Sequence, residues 1–275
     1  MPFAAIAVAI FINALWGGNP IAVKVGLEVV PPFWSAFLRF AIGAACVACW
    51  AAMSGMQLWP KRYEWVGLIW LSVLFGVQIA AMNIGIDRSS GAISAVLIAM
   101  YPLFAAGLSH VYGPGERLTR ARTVGLLVAF AGAAVIVMRQ DAGGWLGQVG
   151  VGELIVLFSA ALLGARLVVS AVMLRRMNTA RVMFWQMLIA LPAFWAIALT
   201  NETVVWSAFS WEVGFSFFYQ GVVIAGFGFV GPVTGVFLGI SLLGEPVTLN
   251  LVIGTIAVGC GLVIVAARRR TVARS

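Results

Sequence analysis

Two stretches of the chain share one pattern: 101-YPLFAAGLSHVYGPGERLTRARTVGLLVAFAGAAVIV-137 and 231-GPVTGVFLGISLLGEPVTLNLVIGTIAVGCGLVIV-265. Each begins an apolar helix with a proline near its start, Pro102 or Pro232, and then reaches a Gly-Glu turn, Gly115-Glu116 or Gly244-Glu245. Each continues into a small-residue helix with glycines seven apart, Gly125/Gly132 and Gly254/Gly261. Turn and glycine ladder match at one offset of 129 residues, and the prolines at 130. A proline, a Gly-Glu pair and a glycine ladder in the same order mark two related halves, with bounds at 1–140 and 141–275.

Hydrophobic residues make up 63% of the chain and charged residues 9%, against roughly 45–50% and 25% in soluble domains. No aqueous fold of 275 residues hides that much apolar surface, so the expected class is an all-α integral membrane protein. Apolar runs divide into ten spans: Phe3–Val23, Pro31–Ser54, Trp65–Ile86, Ser89–Val111, Thr123–Met138, Glu153–Leu174, Val182–Thr200, two within Thr203–Leu243, and Leu249–Ala267. The first lacks a basic start and is followed by spans of the same kind, which reads as a membrane span rather than a cleaved signal. Cys46, Cys49 and Cys260 all sit in apolar segments and read as small hydrophobes. With the N-terminus taken as cytoplasmic, twelve Lys and Arg fall inside and only Lys24, Arg88 and Arg139 outside. This positive-inside bias puts both termini in the cytoplasm and explains the net charge of +8 without nucleic acid.

Five spans per half is an odd number, so the second half enters from the opposite side. An offset of 147 lays Arg39 on Gln186, and one of 137 lays Asn83 on Gln220. Ten helices in two inverted five-helix repeats are the expected architecture, which is the plan of secondary transporters.

The run Trp16-Gly17-Gly18-Asn19-Pro20 with Lys24, the Arg39-Phe40 pair and the duplicated Pro…Gly-Glu pattern resemble EamA-type members of the drug/metabolite transporter superfamily. The resemblance spans essentially the whole chain. It implies a bacterial inner-membrane protein that exports amino acids or similar small metabolites, driven by a proton gradient or by the substrate's own gradient. The chain departs from the pattern in one place. Asn83 to Pro102 is 19 residues, but Gln220 to Pro232 is only 12, so the second half lacks about two helical turns between spans eight and nine.

Several residues are candidates for chemistry. Trp16, Asn19 and Pro20 share a helix face, Pro20 bends it, and together they suit a cavity lining or a close helix contact. Arg39 and Arg166 are charges within spans. Such charges face protein or water-filled cavities and cost a few kcal/mol on insertion scales. Each either holds a substrate carboxylate or is a structural cation bonded to backbone carbonyls, and Arg39 has Glu212 as another possible partner. Glu212 is the acidic residue that falls within a span, buried as a proton carrier if span eight starts near Thr203 and at the edge if it starts later. Pro102 and Pro232, with Pro20, are candidate hinges, and Tyr101 lies beside the first. Gln78, Asn83, Gln186 and Gln220 serve either as interhelical bonds or as substrate contacts. His110 reads as an interfacial residue, and Trp59, Trp65, Trp145 and Trp211 as belt anchors.

The sequence has no phosphate loop, no Asp/Glu/His cluster for a metal and no acidic pair within a span, so no enzyme, cofactor or metal site is expected. Span one carries no acid and the two certain intramembrane charges are arginines, a field that favours a substrate with a carboxylate. The expected cavity comprises Trp16, Asn19, Arg39, Asn83, Tyr101, Arg166 and Gln186. The expected function is export of amino acids or similar metabolites by alternating access. The alternative is a proton-coupled exporter of cationic or lipophilic drugs that uses Glu212. The expected partners are the substrate and the bilayer. Ten helices enclose a cavity, so a monomer suffices, with a homodimer left open.

Overall fold

A computed structural model describes residues 18–112, 120–137, 150–204 and 208–223, with positions 253, 256 and 257. The helices are α1 (residues 18–27), α2 (Pro32–Met53), α3 (Trp65–Asp87), α4 (Gly91–Ile98), α5 (Tyr101–Tyr112), α6 (Arg120–Val137), α7 (Val151–Met173), α8 (Thr179–Asn201) and α9 (Trp211–Val223). Five stretches of the described residues are long and apolar enough to cross a membrane: Pro32–Met53, Arg62–Asp87, Gly91–His110, Val151–Met173 and Thr179–Asn201.

The helices are inverted relative to those of soluble proteins. On α3 the exposed stripe is apolar, with Val66 65%, Trp70 71% and Val77 50% accessible, while Ser72, Gln78 and Asn83 are buried. Leu154 and Phe158 on α7 and Trp195 and Leu199 on α8 continue this apolar exterior. In lipid the outward face needs no polarity, and the polar groups turn inward to find one another.

The α3–α7, α5–α7, α2–α8, α3–α8 and α2–α9 interfaces form the bundle. Small residues set the closest of these. A Cβ on Gly85 would lie 2.8 Å from the backbone nitrogen of Val156, and one on Gly164 would lie 2.8 Å from both the Tyr101 carbonyl and the Ala105 nitrogen. Only glycine lets α7 approach α3 and α5 this closely. Between α3 and α7, Gln78 donates to the Ser159 hydroxyl at 3.1 Å, which donates back to the Gln78 carbonyl at 3.0 Å.

The expected unbroken fourth span, Ser89–Val111, is divided. The chain leaves α4 in a turn at Ala99–Met100 and restarts as α5 at Tyr101. Pro102 has no N–H to bond to Ile98, and its ring disfavours helix in the preceding turn. Ser90 caps the start of α4, its hydroxyl accepting from the Ile93 amide at 3.1 Å.

Two clasps close opposite ends of the antiparallel α2–α8 pair. At one end the Glu202 carboxylate, just past α8, accepts from the Phe33 and Trp34 amides at 2.9 to 3.1 Å. These are among the orphan donors of a helix whose first residue is Pro32. At the other end Arg181, near the start of α8, donates to both Glu64 oxygens at 3.0 and 3.1 Å and to the Gln57 carbonyl at 3.2 and 3.3 Å. Asn178 donates to the same carbonyl at 3.0 Å and Trp185 to that of Leu58 at 2.7 Å. Arg181 therefore counts in the loop charge balance but is a buried ion pair. Trp59 and Trp65, expected as belt anchors, pack edge-on against Trp185, with centroids 5.6 and 4.7 Å away. Trp59 keeps 74% of its surface exposed.

Candidate functional site

Arg39 lies on the buried face of α2, 2% exposed. Its guanidinium donates to Asn83 Oδ1 on α3 at 3.0 Å and to Gln220 Oε1 on α9 at 3.4 Å. Both amides are held in that orientation by their own NH2 groups. Asn83 donates to the Pro32 carbonyl at 2.7 Å and Gln220 to the Ala22 carbonyl at 3.1 Å. One guanidinium thereby joins α1, α2, α3 and α9. Arg166, at the middle of α7, donates to Gln186 Oε1 on α8 at 3.3 Å.

Aromatic rings link the two cations. The Arg39 guanidinium carbon sits 4.5 Å from the centroid of Phe40, and that of Arg166 sits 5.0 Å from the centroid of Phe75. The two rings meet edge to face at 4.7 Å, with Phe194 stacked on Phe40 at 6.2 Å. The ring faces partly offset the cost of burying each charge, but the arginines also repel one another.

No carboxylate pairs with either arginine among the described residues. Glu64 is taken by Arg181, and Glu202 by the start of α2. Glu28, Asp87 and Glu212 are exposed. Glu153 is fully buried at the start of α7 and accepts from the Ser89 hydroxyl at 3.0 Å. The other three acids of the sequence, Glu116, Asp141 and Glu245, lie outside the described residues. The Nε atoms of Arg39 and Arg166 are buried and have no hydrogen-bond partner among the described residues.

Of the expected cavity, Arg39, Asn83, Arg166 and Gln186 come together. Tyr101 is half-buried on α5 and makes no hydrogen bond to either guanidinium among the described residues. Asn19 is half-buried and Pro20 buried on α1, and neither bonds to the arginines. Pro102 is the second residue of α5. Trp16 and Pro232 lie outside the described residues.

The structure narrows three of the readings left open. Glu212 is exposed on the first turn of α9 and is not a buried carrier, because the helix begins at Trp211 rather than near Thr203. Arg39 pairs with amides and not with Glu212 or backbone carbonyls. Glu212 is also not the acid to look for inside a span, since Glu153 is the one buried in α7.

The four span amides, alike in sequence, separate by role. Gln78 ties α3 to α7, while Asn83, Gln186 and Gln220 hold the guanidiniums. Gln220, Phe40 and Phe75 complete the centre. The 137-residue offset from Asn83 is the sequence signal for Gln220, and adjacency to Arg39 the signal for Phe40. Phe75 has no such signal among 18 phenylalanines.

Known proteins agree with a transporter. The chain is 22% identical to the uncharacterized transporter YoaV of Bacillus subtilis, over 92% of this chain and 93% of that one. It is 27% identical to the uncharacterized inner membrane transporter YedA of Escherichia coli K12, over 49% of this chain and 42% of that one. A solved crystal structure, 19% identical, superposes with a TM-score of 0.65 over 97% of this chain and 99% of its own, a likeness of fold. With residues 3–138 matching its pattern, the chain belongs to the EamA-like transporter family and is a multi-pass membrane protein, not an enzyme.

Proposed function

We propose that this transporter moves small carboxylate-bearing metabolites, the class that includes amino acids, outward across the bacterial inner membrane. One observation carries the proposal: two guanidiniums within the bundle, Arg39 buried and Arg166 half-buried, have amides and phenyl rings for company and, among the described residues, no carboxylate. A buried charge without a counter-ion is costly, and a substrate carboxylate removes that cost on arrival. A lipophilic cation would add to it. The exposed position of Glu212 means that the acid named for the drug-exporter alternative is not a buried one.

We further propose ten helices in two inverted repeats, 1–140 and 141–275, with both termini cytoplasmic, working by alternating access. The packing supports this. The repeat offsets make α2 the mate of α8 and α3 the mate of α9. These mates form the α2–α8 contact, and the α3–α8 and α2–α9 contacts then exchange with one another. The Gln57/Glu64–Arg181 and Glu202–Phe33/Trp34 clasps occupy opposite ends of the same helix pair and suit the two gates. Pro20, Pro102 and Pro232 are the proposed hinges.

The test is uptake of labelled carboxylates and of a lipophilic cation into proteoliposomes of the purified protein, with and without a pH gradient. Carboxylate flux that is lost in Arg166→Ala is the expected result. Cation flux alone, dependent on Glu212, overturns the proposal.

A further inference from the structure

The two-arginine centre has more positive charge than one carboxylate neutralises. Resting on the carboxylate reading above, we infer that the transported substrate carries two acidic groups and no ammonium, one acid for each guanidinium. Three observations converge on this.

The first is charge. Arg39 is 2% exposed and Arg166 has a buried, unpartnered Nε. A monocarboxylate leaves one of these cations unneutralised. A zwitterionic amino acid leaves the net charge of the centre unchanged and adds an ammonium beside two cations. A carboxylate at the centre would offset that added repulsion. All nine acids of the chain are accounted for by position. Six are described and none bonds to either arginine, and the remaining three, Glu116, Asp141 and Glu245, lie in or beside the polar turns of the sequence rather than inside its apolar runs.

The second is donor capacity. Two guanidiniums carry ten N–H bonds in total. Among the described residues three bonds are made, to Asn83, Gln220 and Gln186. Among the described residues Arg166 keeps Nε and Nη2 uncommitted, the edge that donates to a carboxylate in fork geometry. Two carboxylates bring four oxygens to this surplus.

The third is shape. Phe40 and Phe75 are in edge-to-face contact, and each ring has one guanidinium over it. Ring edges suit a short hydrocarbon spacer between two acidic groups.

The experiment uses full-length protein in proteoliposomes, loaded separately with labelled succinate, glutarate, gluconate, alanine, phenylalanine and a lipophilic cation. Succinate or glutarate flux exceeding gluconate and both amino acids by about tenfold or more is expected. Arg166→Gln is expected to reduce that preference by about tenfold, because a centre with one cation matches one acid. The wild-type panel decides the matter even if the variant does not fold. Gluconate or amino-acid flux equal to that of the dicarboxylates overturns the two-acid inference while the carboxylate reading stands. Cation flux without any carboxylate flux overturns both. If vesicles show no flux at all, the melting temperature of the detergent-purified protein decides. A rise with succinate or glutarate and none with gluconate or alanine supports the inference, and equal or absent shifts overturn it.

Discussion

Replacing Glu64 by Gln tests whether the clasp between the α2–α3 loop and α8 is a buried ion pair in energy as well as in geometry. The side chains of Arg181 and Glu64 are 9% and 1% exposed, and their shortest contact is 3.0 Å. Removing one partner of a buried pair costs about 3–5 kcal/mol, since the other charge stays buried. Arg181 keeps its bonds to the Gln57 carbonyl, which places the expected loss at the lower end, about 3 kcal/mol. Lys61 also loses a charged acceptor for its amide, now bonded to Glu64 at 2.7 Å. Arg181→Met alone strands Glu64 and costs a similar amount. The double variant removes both charges, and its loss is expected to be smaller than the sum by about 2 kcal/mol or more. Reversible unfolding by sodium dodecyl sulfate titration in mixed micelles measures all four corners of the cycle. A Glu64→Gln loss below about 0.5 kcal/mol, with coupling indistinguishable from zero, would mean a solvated surface pair and refute the reasoning.

Three further outcomes are expected. Glu202→Ala removes the acceptor for the Phe33 and Trp34 amides and should cost about 1 kcal/mol in the same titration, the usual worth of a helix cap; no measurable loss would mean water replaces it. Gly164→Ala forces α5 off α7 and should cost about 1–3 kcal/mol, whereas Gly107→Ala, whose added methyl meets nothing within 4 Å, should be neutral or slightly stabilising; equal effects would contradict the packing. Gln78→Leu should cost about 1 kcal/mol of stability and leave substrate preference unchanged, while Asn83→Leu, which frees Arg39, should change transport as well; identical transport profiles for the two would dissolve the division of the amides.

The sequence by itself determined the class and the helices long enough to span a membrane. Hydrophobic run length is tied to bilayer thickness one helix at a time, so Pro32–Met53, Val151–Met173 and Thr179–Asn201 were legible without any neighbour. An arginine in such a run must face protein or water whatever the fold, so Arg39 and Arg166 stood out locally. The partners of those arginines were not local. Whether Asn83 or Gln78 faces Arg39 depends on how α3 is rotated, and composition alone treats the two amides alike. The Arg181–Glu64 pair joins residues 117 apart, and each of them reads as an ordinary loop charge until α8 is laid against α2. Glu212 is the reverse case: its burial turned on where a helix begins, which hydropathy blurs over several residues. Glu153 looked like a span boundary and became buried only because α7 packs against the α3–α4 junction. The chain's apolar pattern fixed what must be in the membrane, because transfer free energy is a property of each segment. Helix rotation and contact decided that Arg181 met a carboxylate while, among the described residues, Arg39 and Arg166 met amides, because pairing is a property of the whole bundle.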